Sequence, residues 1–243
     1  RQKDEWLYRK TDFATKVSFP QSLGAGGERR IHLRNGLKLL VRNGKVRQPL
    51  VIDHQHESDF PLIAKFYVSG SSKVQTKGAA LANFEAAYTE MAGHHYLYYL
   101  PDIAEVEEWP ANELCQVVMI SMQIDYLRSF CLVNIPLASP LKQLVDSAKS
   151  EPFHQPLGRM TPAIRQILQQ ILGSPYQGMM EHLYLESKAL ELLALQFMTL
   201  SEKAPVAKRG SLNAEDVDRV QYARDLLVQQ LGDPPSLTKL AHL

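Results

Sequence analysis

The first half of the chain places apolar residues with the two-residue period of β-strands. Seven short runs follow this pattern, at residues 29–33, 37–43, 50–54, 62–68, 81–88, 96–100 and 114–124. Asn35-Gly36 separates the first two runs and favours a tight hairpin, because both residues tolerate positive φ. In the run at 62–68, Leu62, Ala64 and Phe66 share one face, which we expect to point inward. Short strands at this spacing imply a small β-barrel or sandwich, and of the two we expect a β-barrel over residues 1–135.

From residue 136 onward the apolar period changes to that of α-helices. Helices are predicted at 140–147, 162–172 and 179–200, after a short one at 125–130. The longest, 179–200, is apolar on two faces. One stripe contains Leu183, Leu190, Ala194 and Phe197, and the other contains Leu185, Ala189, Leu192, Leu193 and Leu200. We interpret residues 136–200 as a helical dimerisation segment with Leu185, Leu192 and Phe197 in the dimer interface. The alternative is burial of both stripes within one subunit.

The last part of the chain predicts a linker followed by the beginning of another domain. Residues 201–211 contain Pro205 and Gly210 among charged residues, which is typical of a linker. Residues 212–243 predict one helix, a stop at Gly232 and the two prolines that follow, and the start of a second helix. We expect this to be the incomplete start of a helix-turn-helix domain. The predicted fold class is therefore α+β: a β-barrel, a helical segment and the first helices of a truncated helix-turn-helix domain.

Five phrases of the sequence carry a resemblance to a known family. They are PQSLG at 20–24, YLP at 99–101, EEWP at 107–110, LYLESKALELLA at 183–194 and PPSLTKLA at 234–241. Together they resemble the pyochelin-regulator branch of AraC-type transcription regulators. The resemblance implies a ligand sensor followed by a DNA-binding domain, with a ferric siderophore as the effector. It also implies that the full-length protein binds DNA, whereas 212–243 lacks the recognition helix that specific binding needs. The homodimer that we expect is inferred from the two apolar faces of the longest helix.

Composition restricts the function classes further. Apolar residues make up 45% of the chain and charged residues 22%, and the net charge is +1, so charge alone gives no argument for nucleic acid. No apolar run approaches the length of a membrane span, and we expect no membrane partner. Cys115 and Cys131 do not suggest a disulfide framework, which favours the reducing cytoplasm.

Two groups of residues are candidates for ligand binding. Tyr96, Tyr98, Tyr99 and Trp109 lie close in sequence and could stack on an aromatic or chelate ligand, although packing inside the barrel is the simpler interpretation. Arg30 and Arg42 belong to a basic run, 29–47, that contains no carboxylate. Such a run is most often a solvated face, but it could also neutralise an anionic ligand. We predict that some of the aromatic residues stack on the effector and that Arg30 or Arg42 neutralises it.

Histidines suggest an alternative site. His54 and His56 project from the same side of a strand and could be metal ligands, as in the His-x-His pattern of cupins. The glycines expected around that pattern are absent, and the adjacent His94 and His95 point to opposite faces. A metal-dependent cupin-like enzyme is therefore the alternative function, and a dimerisation module without ligand is a third.

The sequence contains no recognisable catalytic motif. There is no nucleophile elbow, no phosphate-binding glycine loop and no cysteine pair at zinc spacing. We therefore expect no catalytic residue and no enzymatic activity. We also expect no covalently bound cofactor, and a barrel that resembles a cupin in shape only.

Overall fold

The described part of the chain forms strands in two sheets and four α-helices. The structure, a computed structural model, describes residues 8–11, 13–77, 86–130, 139–147, 150–203 and 235. The strands are β1 (Tyr8–Lys10), β2 (Ala14–Ser18), β3 (Gly24–His32), β4 (Lys38–Val46), β5 (Leu50–Gln55), β6 (Leu62–Ser69), β7 (Ser71–Lys77), β8 (Ala87–Met91), β9 (His94–Tyr99), β10 (Ala104–Trp109), β11 (Leu114–Met122) and β12 (Phe153–Arg159). The helices are α1 (Ile124–Ser129), α2 (Ser139–Asp146), α3 (Pro162–Leu172) and α4 (Gly178–Lys203).

Contacts divide the chain into two units, residues 1–204 and 205–243. Only Pro235 of the second unit is described, so the helices predicted within 212–243 and most of the predicted linker lie outside the described residues. All that follows concerns the first unit. Among its described helices, none is both long enough and apolar enough to span a membrane.

The strands form two open antiparallel sheets. The first has the order β1-β2-β3-β4-β11-β6-β9-β12, and the second has the order β5-β10-β7-β8. In the described residues the outer strands of each sheet pair on one side only. The prediction of a closed barrel was therefore wrong, because strand periodicity reports which face is apolar but not which strand pairs with which.

A single glycine connects a strand of the first sheet to a strand of the second sheet. β6 ends at Ser69 in the first sheet, and β7 begins at Ser71 in the second, so Gly70 alone makes the turn. Its φ is 84°, and a Cβ there would lie 2.8 Å from the carbonyl oxygen of Leu114. Only glycine fits both conditions. The turn is a single residue long because the two serines that follow already belong to β7.

The main core lies between the first sheet and the helices. Leu62, Ala64 and Phe66 of β6 join this cluster, which confirms the inward face predicted for them. The opposite face of β6 is also covered, because Lys65 and Tyr67 are buried towards the second sheet. The first sheet is thus the middle of three layers, with helices on one face and the second sheet on the other.

Several local predictions match the structure. The predicted hairpin at Asn35-Gly36 joins β3 to β4, and both residues have positive φ, at 54° and 77°. α3 begins and ends where the apolar period predicted. Thr161 caps it by accepting a hydrogen bond from the backbone of Ile164, and Pro162 occupies the first turn.

Other predictions missed strands. β7 and β10 were not predicted because they carry polar residues, and the region after 136 was expected to be helical throughout, whereas β12 is a strand. β12 contains Pro156, which cannot donate a ladder hydrogen bond; the strand tolerates it at the edge of the sheet, next to a register shift. The predicted strand at 81–88 lies mostly outside the described residues, and β8 begins at Ala87.

Candidate functional site

A cavity of about 300 Å³ lies between the two sheets. From the first sheet it is lined by Glu28, Arg30, Leu40, Arg42, Ile63, Lys65, Tyr98 and Met119; from the second sheet and its adjoining loop it is lined by His54, His56, Phe60, Val74, Tyr88, Glu90, Glu105 and Glu107. Seven of these side chains are acidic or basic, a composition that protein interiors avoid unless the charges are paired. The cavity is therefore stable only if most of these charges are paired.

Lys65 occupies the floor of the cavity. Its ammonium group forms ion pairs with Glu90 and, at 3.3 Å, with Glu107, and all three side chains are buried. Burial alone lowers the pKa of Lys65, but Glu107 and Glu90 outweigh it and hold this pKa well above its usual value. The same pairing holds the pKa of Glu107 well below its usual range, although burial by itself raises it. All three groups are charged at neutral pH.

Arg42 forms one side of the cavity. Its Nε lies 2.8 Å from a carboxylate oxygen of Glu28, and its guanidinium stacks 4.1 Å above the ring of Trp109. Its Nη1 is 3.8 Å from Glu107, too long for a hydrogen bond, and no acceptor satisfies this buried atom among the described residues. Arg42 thus keeps one unused donor at the wall of the cavity.

Glu105 differs from the other three cavity carboxylates, each of which forms an ion pair with a lysine or an arginine. Tyr88 donates a hydrogen bond to it at 2.7 Å, and His56 Nε2 lies 3.6 Å away, but no described lysine or arginine forms an ion pair with it. Burial raises the pKa of its carboxyl. His56 also contacts the carbonyl of Leu100, and burial lowers the pKa of its imidazole.

Aromatic rings line the side of the cavity next to Glu105. Phe60 stacks on His56 with ring centroids 4.1 Å apart, and Tyr98 lies 6.3 Å from Phe60. Behind this wall His154 stacks on Tyr88 at 4.0 Å. The arrangement offers flat apolar surfaces beside charged groups, which is how small-molecule sites usually combine packing with orientation.

The structure brings together some of the predicted ligand-binding residues and separates others. Arg30, Arg42 and Tyr98 line the cavity, and Trp109 lies beneath Arg42. Tyr96 lies outside the lining, where its hydroxyl accepts a hydrogen bond from the backbone of Met91. Tyr99 is on the opposite face of β9, packed against the core beneath the helices.

The histidines are separated in the same way. His54 and His56 both line the cavity with ring centroids 6.2 Å apart, whereas His95 faces the helices and stacks on Phe66. Within the described ranges, no three His, Cys, Asp or Glu residues are grouped in a way that could hold a metal ion. Binding of a metal by His54 and His56 remains a prediction without that support.

The basic run 29–47 is not an uncompensated positive face. Four of its arginines contact carboxylates from other parts of the fold or from the position just before the run. The partners are Glu181 for Arg29, Glu28 for Arg30 and Arg42, and Glu186 for Arg34. The run itself contains no carboxylate, but α4 and β3 supply the negative charges that pair with it in space.

The sequence interpretation missed Lys65, Glu90, Glu105, Glu107 and Tyr88. Two signals were available. Residues 104–109 alternate so that Glu105, Glu107 and Trp109 share a face, and Lys65 is the single charged residue in the apolar run of β6. Neither signal shows that the charges meet, since their partners are on other strands.

The predicted dimer residues differ in position. Leu185 and Leu192 are 1% and 0% exposed and belong to this chain's own core, whereas Phe197 is only half-buried. The two stripes predicted on the longest helix are both real. The stripe with Leu185 and Leu192 packs inward on α3 and the sheet, whereas the stripe with Leu183 and Phe197 is the more exposed one.

The comparisons with known proteins identify a family. The model of the regulatory protein PchR N-terminal domain matches residues 25–212. The regulatory protein PchR of Pseudomonas aeruginosa is 39% identical over 79 residues, and this match covers 32% of the chain but only 27% of that relative's length.

Two solved structures of regulators are similar in shape. A variant of ToxT from Vibrio cholerae has a TM-score of 0.45 at 11% identity, covering 87% of this chain and 71% of that one. The AraC-like transcriptional activator CuxR has a TM-score of 0.44 at 8% identity, covering 85% and 66%. The family model covers most of the chain, and it confirms the resemblance to the pyochelin regulator: the chain belongs to the family of PchR N-terminal regulatory domains.

Proposed function

We propose that this chain is the ligand-sensing and dimerisation portion of a DNA-binding transcription regulator, with the cavity between the sheets as its effector site. The observation that carries the proposal is the unused donor of Arg42, a buried group at the wall of a cavity large enough for a small molecule. A buried donor without an acceptor lowers stability by about 1–3 kcal/mol, and a bound acceptor would recover that free energy. Specific DNA binding is assigned to the full-length protein rather than to this chain.

The proposed effector is a ferric siderophore, as the resemblance to the pyochelin-regulator branch implies. A cavity of about 300 Å³ is at the small end of the range for ligand sites and fits one arm of such a chelate better than the whole. Phe60, His56 and Tyr98 provide the aromatic wall against which a flat arm packs. Arg30, at the wall and partly exposed, is positioned to contact the part that remains outside.

Replacing Tyr98 with alanine should weaken binding of a ferric chelate by at least about tenfold, because an aromatic wall residue is lost. The matched control is Tyr99→Ala, one position further on the same strand but on the opposite face. Trp109 lies next to the cavity and reports binding by fluorescence quenching once Trp6 has been replaced with phenylalanine. We expect saturable quenching that Tyr99→Ala leaves unchanged.

The alternative function, a metal-dependent cupin-like enzyme, predicts a different pattern of Trp109 quenching. Iron salt without chelator would quench Trp109, and His54→Ala or His56→Ala would abolish that quenching. Equal quenching of the Tyr98 and Tyr99 variants by the chelate would also count against the cavity as the effector site.

Dimerisation is proposed through the outward stripe of α4. Leu183 is 45% exposed at one end of the stripe, Ala194 is also exposed, and Leu190 and Phe197 are half-buried. An apolar stripe along most of a long helix is an unusual surface for a monomer and suits an isologous contact with a second copy.

Leu183→Glu should raise the monomer–dimer dissociation constant at least about tenfold, because it places an unpaired charge in the contact. The control is Val51→Glu, at an exposed apolar position on β5. Sedimentation velocity over a concentration series measures the effect, with circular dichroism to verify the fold. A monomeric wild-type chain at the highest concentration would contradict the proposal, as would a dimer unaffected by Leu183→Glu.

A further inference from the structure

The charges around the cavity restrict the chemistry of what can enter it. The lining contains four carboxylates and three permanent cations. Lys65 contacts two of the carboxylates, and Arg42 and Arg30 contact the fourth, Glu28. Every cation of the lining is therefore already paired, and the cavity holds no excess positive charge for a multiply charged anion.

Two polar groups on the wall have bonding capacity left. Arg42 Nη1 is a buried donor with no acceptor among the described residues. Glu105 is a buried carboxylate whose described partners are a tyrosine hydroxyl and, at 3.6 Å, an imidazole. A buried carboxylate accepts up to about four hydrogen bonds, so Glu105 can accept more. The first group needs an acceptor, and the second needs a donor.

The register of β10 places these two groups along the same wall of the cavity. Glu105 and Glu107 are successive residues on the same face, about 7 Å apart along a strand. Glu107 lies beside Arg42 Nη1, at 3.8 Å. Arg42 Nη1 therefore lies beside Glu107, and Glu105 occupies the next position on the same face of β10, so the two groups are at different places along one wall of the cavity. Phe60 and His56 form the flat side of the same space.

We propose that the group entering the cavity is a flat ring that carries a hydrogen-bond acceptor at one end, bound by Arg42 Nη1, and a hydrogen-bond donor at the other end, bound by Glu105. This inference rests on the proposed function, because it names the chemistry of the effector at that site. It excludes groups that present acceptors at both ends: the second acceptor would face the Glu105 carboxylate, and unpaired like charges are how sites reject wrong ligands. Glu105 is the residue that determines this specificity.

Two small probes differ only at the end that faces Glu105. 4-Aminobenzoate has a carboxylate and an amine, whereas terephthalate has a carboxylate at both ends. The full chain should bind 4-aminobenzoate at least about tenfold more tightly than terephthalate, as measured by isothermal titration calorimetry, because a polar site discriminates strongly against a ligand that leaves its groups unpaired.

Glu105→Gln provides the decisive variant. Glutamine keeps the shape of the side chain, still accepts the hydrogen bond from Tyr88 and adds an amide donor. It should therefore remove or invert the preference between the two probes, whereas loss of structure would weaken both alike. Glu108→Gln, on the exposed face of the same strand, should leave the preference unchanged.

Three results would overturn the assignment: equal affinity of the wild-type chain for both probes, a Glu105→Gln variant with the wild-type preference, or no saturable binding of either probe. The effector site itself is tested separately by the ferric chelate and the Tyr98 variant. If the chelate binds through Tyr98 while the probes fail, the proposed function stands and the donor–acceptor assignment falls.

Discussion

Replacing Lys65 with methionine should lower the free energy of unfolding by about 3–5 kcal/mol, the usual cost of removing one partner from a buried ion pair. Lys65 is 5% exposed, and its ammonium group is held between the buried carboxylates of Glu90 and Glu107. Without it, two carboxylates share a poorly solvated space with one cation fewer. Chemical denaturation followed by circular dichroism measures the loss.

Lys77→Met is the matched control. Lys77 also belongs to a strand and also forms an ion pair, at 2.6 Å with Asp53, but both side chains are largely exposed. Exposed pairs contribute about 1 kcal/mol or less. The double variant Lys65→Met/Glu90→Gln should recover part of the loss, because it removes one of the two stranded charges. Similar small losses for Lys65→Met and Lys77→Met would show that the cavity floor is better hydrated than its burial indicates.

The free energy of unfolding should fall steeply as the pH decreases below about 4.5, the ordinary value for a glutamate carboxyl. Burial by itself raises the pKa of Glu28, Glu90 and Glu107, but nearby cations outweigh burial and lower the pKa of all three. A carboxyl with a lowered pKa in the folded state contributes stability that is complete above its unfolded value. That contribution is lost as the pH falls through the folded pKa.

The fall in the free energy of unfolding at low pH is called the acid limb below. Glu107→Gln should make the acid limb less steep than any other single change at the floor of the cavity. Glu107 has the most strongly lowered pKa of the cavity carboxyls, through Lys65, His54 and Arg42. Each proton taken up on unfolding contributes a slope of about 1.4 kcal/mol per pH unit, so the variant should lose close to one such contribution.

The control for this measurement is the neighbouring residue. Glu108→Gln changes the same charge on the same strand but on the exposed face, so its acid limb should follow that of the wild-type chain. Urea titrations at closely spaced pH values give the slopes. Parallel acid limbs for the Glu107 and Glu108 variants would mean that the buried cluster does not control acid stability. Glu105 differs from the three glutamates whose pKa is lowered, because burial raises the pKa of its carboxyl and protonation at low pH therefore does not destabilise the folded state through this residue.

Sequence reasoning succeeded where the physical cause is local. Asn35-Gly36 makes its hairpin because both residues accept positive φ, and α3 begins at Pro162 after a capping threonine. The two apolar stripes of α4 follow from helical periodicity alone. The phrases shared with the PchR family, above all the one at 183–194, were also sufficient to predict the family.

Tertiary structure decided what depends on partners distant in the chain. Periodicity assigns a charged residue in a strand to the solvent face, so it could not place Glu105 and Glu107 inside. Their burial is tolerable only because Lys65 comes from β6, Arg42 from β4 and Tyr88 from β8. Likewise, the sequence supplied both stripes of α4, but only packing against α3 and the first sheet decided which one is core. The candidate site forms where charged side chains from different strands come into contact. Because these residues are far apart in the chain, their pairing produces no local pattern in the sequence.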